Sequence, residues 1–282
     1  MADTWKPIHE NHAIDVMAAV ITFAEVIPGL LLKRVLQIGE DAAFAAGLRS
    51  RHGLRGTQMT IGVDGSLVSS TVPVQGQIFN SLVDVPDDAP VPHQVAEQLH
   101  VAQDKVMYRT WRYISWSWQI ERIQKLLLPL IAAVQDSVPI SAQRLEYLDR
   151  FRFDGDLSHL KYSAVLKTDS PLIAPHVFSQ SNLWHSHTGA FLPSGNDRKK
   201  LLQIQIDVLD SELSPSDNLS HTRWLNIMTA REDRLNLQSA DDSRQNADLI
   251  KQTFDLNHAE LKQVLSTIIS DSMIDRIFLW KS

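Results

Sequence analysis

Two passages of the chain hold side chains whose types and spacing could do chemistry. In RLEYLDRFRFD, residues 144–154, strand alternation puts Leu145, Tyr147, Asp149, Phe151 and Phe153 on one face, and Glu146, Leu148, Arg150 and Arg152 on the other. Asp149 therefore sits among aromatics. A buried carboxylate must be hydrogen-bonded, paired or protonated, so Asp149 is a candidate general acid or base, with a structural acceptor as the plainer reading. Arg150 and Arg152 could grip a phosphate or carboxylate, or simply face solvent. In LWHSHTGAF, residues 183–191, His185 and His187 share a strand face, the spacing by which one strand offers two imidazoles to a metal. A third ligand could come from His176, His159 or Asp207. No HExxH or second HxH accompanies them, so the expectation is no metal and no cofactor, with a His185, His187, Asp207 site as the alternative.

Other catalytic signatures are missing. No G-x-S-x-G elbow exists, and Ser186 between the histidines is an unspecific candidate nucleophile. The tryptophans at 111, 116, 118 and 184, with Tyr108 and Tyr113, could form a stacking surface or serve as packing. The residues most suited to binding are Tyr147, Asp149, Arg150, Arg152, Trp184, His185 and His187.

Composition narrows the class. At 282 residues and 44% hydrophobic content the chain can bury a real core. Its net charge of -6, with 27 basic residues scattered along the chain, argues against a nucleic-acid partner. With no cysteine it carries no disulfide, thiolate metal site or cysteine nucleophile, which fits a reducing compartment. The start, MADTWKPIHENH, lacks a secretory pattern, and stretches such as LLLPLIAAV fall short of the ~20 residues of a membrane helix. The expectation is a cytoplasmic protein with no membrane partner.

The elements that must position these residues follow from periodicity. AAVITFAEV from Ala18 predicts a buried strand, and PGLLLKRVLQ the start of a helix. TQMTIGVDGSLVSSTV predicts a hairpin turning at Asp64-Gly65. The proline-rich, acidic run from Asp84 to Asp104 predicts an exposed loop. Trp116, Ile120, Ile123, Leu127, Leu130, Ile131 and Val134 form one helix stripe, with Pro129 predicting a kink near Lys125. Strands are expected near residues 144–153, 183–191, 201–209 and 223–229. A helix capped by Asn257 and a last strand, RIFLWK, follow. The result is an α+β fold of antiparallel sheets in two halves, 1–137 and 138–282, each with strands and one long helix on the sheet. A free sheet edge would invite a homodimer.

Over most of its length the chain resembles a sporadically distributed bacterial family of uncharacterised proteins of about this size. The resemblance rests on VMYRTWRYISWSWQIERIQKLL, RLEYLDRFRFDGD, LWHSHTGAF and LNHAELKQVLSTII. Where the family has an aromatic strand ending in asparagine or aspartate, this chain has Tyr147 and Asp149. The family has no assigned activity or catalytic residues, so none transfers. Its patchy occurrence implies carriage on mobile elements and a role in defence or toxin-antitoxin systems. The leading expectation is a non-enzymatic module that binds another protein, the alternatives being a metal-assisted hydrolase or nuclease and a small-ligand sensor.

Overall fold

The structure, a computed structural model, describes residues 4–61, 67–84, 93–194, 198–210, 222–234 and 247–280. Ten antiparallel strands join in one sheet, in the order β3-β4-β5-β6-β2-β7-β10-β9-β8, with β1 paired to β7 beside that path. The strands are β1 Thr4–Pro7, β2 Ile14–Phe23, β3 Ser50–Ile61, β4 Leu67–Asp84 and β5 His93–Ala102, then β6 Lys105–Thr110, β7 Ile140–Asp154, β8 His185–Ser194, β9 Arg198–Asp210 and β10 Thr222–Arg234. Helices α1 Gly29–Ala45, α2 Trp116–Val134, α3 Ala247–Ile268 and α4 Asp271–Arg276 complete the α+β fold expected from the sequence.

Connectivity repeats across the middle. In the first half the meander β3 to β6 returns so that its last strand pairs with β2; in the second, β8 to β10 returns so that β10 pairs with β7. A long helix follows each return. Strands β2 and β7, one from each half, then pair with each other, so a single sheet spans both halves.

The alternation read along β7 is its burial. Gln143, Leu145, Tyr147, Asp149, Phe151 and Phe153 are buried, while the residues between them are half-buried or exposed. Residues Leu225, Ile227 and Thr229 of β10 and Ile204, Ile206 and Val208 of β9 are buried likewise. Helix α3 packs over β7 and β10, and α2, beside α3 and over β6, buries Ile120, Ile123, Leu127, Leu130, Ile131 and Val134, the stripe read from sequence. Each fully buried aliphatic or aromatic side chain stabilises the fold by about 1.5–3 kcal/mol. The Ser115 hydroxyl caps α2 by accepting from the Trp118 amide at 3.3 Å. The helix runs through Pro129, which is exposed, so the Lys125 carbonyl it releases lies on the solvent side.

Three expectations need correction. Within the supposed 84–104 loop, His93–Ala102 is a central strand, β5. Its charged Glu97 is buried, accepting from Arg122 Nε and Nη2 at 3.0 and 2.9 Å and from the Tyr108 hydroxyl at 2.7 Å. The prolines all precede it, at 86, 90 and 92, outside the described residues. Asn257 caps nothing: α3 begins ten residues earlier and buries Asn257 in its middle. RIFLWK does not form the expected strand either: Arg276 ends α4, residues 277–280 form the turn that closes it, and Lys281 lies outside the described residues. Ile277 and Leu279 are 4% and 8% exposed and Phe278 and Trp280 42% and 55%, so the turn imitates strand alternation. Strands β3 and β4 do pair antiparallel, Ile61 facing Leu67; the expected Asp64-Gly65 turn lies outside the described residues. No helix among the described residues is long and apolar enough to cross a membrane.

Candidate functional site

The site is made by a detour in the chain. Strands β1 and β2 both pair with the same side of β7, at Phe151–Asp154 and from Asp149 backwards. Residues 8–13 leave the sheet between them. The detour is pinned at Arg150, whose amide donates to the Ala13 carbonyl at 2.8 Å and whose carbonyl accepts from the Ile8 amide at 3.0 Å. The register then slips between Ile14 and Val16, and the extra residue, Asp15, meets Arg150 Nη1 at 3.0 Å on the opposite face.

Above Asp149 this leaves a cavity of about 250 Å³ between the sheet and α3. Its floor is Tyr147, Asp149 and Thr229. Its walls are His12, Tyr113 and the α3 stripe His258, Leu261, Lys262 and Leu265. Ile277, Phe278 and Leu279 close one side. The lining is mostly apolar, with a few convergent polar groups, the composition expected of a small-molecule site.

Like His12 Nδ1, Asp149 is a buried polar group that the cavity leaves unsatisfied. It is 1% exposed, and its Oδ1 has no hydrogen-bond partner in the protein. Burial raises its pKa from 3.8 to about 7. Around it runs an arc of rings: His12 edge-on to Tyr113 (5.7 Å), Tyr113 edge-on to Tyr147 (6.0 Å), Tyr147 beside His258 (5.9 Å), and His258 stacked on Trp116 (4.3 Å, 7°). The Tyr147 hydroxyl and His258 Nδ1 are 2.9 Å apart. Desolvation lowers both imidazoles to about 4, with His9 adding to the effect at His12 and Lys262 at His258, so both are neutral at pH 7. Burial raises both tyrosine hydroxyls above the usual range, with Tyr113 and then Asp149 adding to the effect at Tyr147, and Asp149 adding to it at Tyr113.

The other candidates lie elsewhere. Arg150 and Arg152 occupy the open sheet face, as alternation requires. Arg150 is held by Asp15 and by Asn226 at 3.1 Å and lies 4.3 Å over the Trp224 ring; Arg152 pairs with Asp154. His185 and His187 are on β8, the last strand of the sheet, with rings 5.3 Å apart and His187 Nε2 2.9 Å from Asp207 Oδ1. Among the described residues no three histidine, aspartate or glutamate side chains gather as a metal ion would need. Trp184 packs edge-on against Tyr162 on the opposite, covered side. The tryptophans are dispersed: Trp111 and Trp118 meet Arg109 and Arg122, and Trp116 stacks behind His258 of the cavity wall.

Reading residues alone found Tyr147 and Asp149, placed Tyr113 only in a possible stacking surface with the tryptophans, and missed His12 and His258. A signal existed for His258, since His258, Leu261, Lys262 and Leu265 share one helical stripe once α3 starts upstream. None existed for His12, which reaches the site through an irregular detour.

Fold and site together define an α+β protein with a single-sheet platform and a cavity between that platform and a helix, floored by a buried acid. Neither the family models nor the curated proteins searched match the chain.

Proposed function

We propose that the chain is a non-enzymatic binding protein that takes a small molecule into the Asp149 cavity. The observation that carries this is a buried, unsatisfied Asp149 oxygen on a residue that lines an apolar cavity. An unpaired buried acceptor costs about 1–3 kcal/mol, and a ligand donor would recover it. A melting-temperature screen against a small-molecule set tests the reading. Compounds that raise the midpoint should lose their effect in Leu261→Phe, whose added carbons occupy the cavity. Compounds equally effective on that variant would bind elsewhere and contradict it.

A second reading, engagement of another protein or of a second copy, is favoured by β8. This strand ends the sheet, is exposed along His187–Phe191, and carries Phe191 at 58% exposure. Such an edge invites pairing with another strand. The family resemblance would set this partner within a bacterial defence or regulatory system. Size-exclusion chromatography with light scattering, alone and with candidate partners, tests it. A complex lost on Thr188→Pro supports it, and a monomer that ignores every candidate opposes it. The hydrolase reading draws no comparable support, since His187 and Asp207 are committed to each other at the surface.

A further inference from the structure

We propose that the cavity's ligand is a monovalent organic cation, an ammonium on a small apolar body, bound with its nitrogen at Asp149. This rests on the binding reading above and names its chemistry. Three features converge. The buried Asp149 carboxyl offers an acceptor oxygen that no protein donor uses. The rings of His12, Tyr113, Tyr147 and His258 stand around the same space. Aromatic faces attract cations, most strongly in a desolvated site, and an arc of rings beside a carboxylate is the arrangement that recognises ammonium groups. The remaining wall, Leu261, Leu265, Ile277 and Leu279, suits an apolar body.

The charged neighbours set the ligand's valence. From the detour the cavity meets His12, from the β6–α2 connection Tyr113, from β7 Tyr147, and from α3 His258 and Lys262; the C-terminal turn contributes no titratable side chain to the lining. Both histidines are neutral at pH 7 and repel no cation. Lys262, its Nζ 5.7 Å from the Trp280 ring centroid, brings a cation to the lining. A second positive charge on the ligand would meet Lys262, so a monovalent amine fits and a polyamine does not. Volume limits the body to roughly one ring with a short arm.

Three matched probes test the proposal by calorimetry on the full chain: 2-phenylethylamine, 2-phenylethanol and 3-phenylpropionate, which share one ring and differ in charge. The amine should bind at least tenfold more tightly than the alcohol at pH 8, and the acid least. Amine affinity should rise from pH 6 to pH 8 as Asp149 ionises, and Asp149→Asn should reduce the amine to the level of the alcohol. Alcohol or acid binding as tightly as the amine, indifferent to Asp149→Asn, would overturn the cation while leaving the cavity reading intact. Binding of none of the three, with no change in melting temperature, would overturn both. The pH dependence in the unaltered chain keeps the test decisive should the variant fold poorly.

Discussion

Tyr147 and His258 lie 111 residues apart in the chain, yet the tyrosine hydroxyl sits 2.9 Å from the imidazole Nδ1. This contact fastens α3 to the central strand at the edge of the cavity. His258 is in turn stacked on Trp116, whose indole N–H donates to Asp255 at 2.8 Å, so α2 is drawn into the same joint. The cavity's rings are thus held by one another before any ligand arrives, and binding need not order them.

Removing the hydroxyl alone should isolate this joint. Tyr147→Phe keeps the ring and deletes one hydrogen bond, so it should cost about 1 kcal/mol in urea denaturation. His258→Ala removes the ring contacts as well and should cost more.

Stability should respond to pH with a maximum near neutrality. The unfolded chain protonates its histidines below pH 6.5, whereas folded His12, His100 and His258 resist protonation until about 4. Their contribution is therefore lost as pH falls from 6.5 towards 4. Asp149 works in the opposite sense: its folded pKa is raised from 3.8 to about 7, so its contribution is present at acid pH and lost as pH rises through 7. Three histidines outweigh one acid below pH 6.5. Denaturant midpoints should climb from pH 4 to about 6.5 and flatten or fall slightly beyond. Asp149→Asn should steepen the acid limb and stabilise the chain at pH 8, by on the order of 4 kcal/mol at most.

Phe278 occupies the left-handed position, with φ 52°, in the turn that closes α4. The Phe278 amide donates to Asp275 O at 3.3 Å and the Leu279 amide to Ile274 O at 3.2 Å, a Schellman pair whose central residue is usually glycine. With the ring removed in both, Phe278→Gly should be more stable than Phe278→Ala by about 1 kcal/mol, the reverse of their order inside a helix. Equal stability would show that the turn relaxes out of the left-handed region.

The half-buried pair Arg122–Glu97 should matter far more than the exposed pair Arg152–Asp154. Arg122→Met leaves Glu97 buried without its cation and should cost about 3 kcal/mol, whereas Arg152→Ala should stay within about 0.5 kcal/mol. Chemical denaturation of the two variants measures the contrast.

Strand β7, helix α2 and the strands of the β8–β10 meander were legible because their burial follows a period that the residue types repeat. Asp149 stood out for the same reason, a charge breaking an apolar face. What stayed hidden was set by tertiary context. Glu97 reads as loop until Arg122 and Tyr108 are brought to it, and RIFLWK reads as strand because a left-handed turn also alternates burial. Asn257 reads as a cap because its type suits one, although its position in α3 is internal. The cavity needs the 8–13 detour, the β6–α2 connection, α3 and the last turn together, and no single local pattern announces a space between four segments.

The most direct measurement follows the Asp149 carboxyl carbon by NMR as pH is varied, with and without 2-phenylethylamine. The account predicts a midpoint near 7 in the free protein, moving to lower pH when the amine is bound, because a paired cation favours the carboxylate. A midpoint near the ordinary 3.8, unmoved by the amine, would show that Asp149 is already satisfied within the fold and would contradict the account.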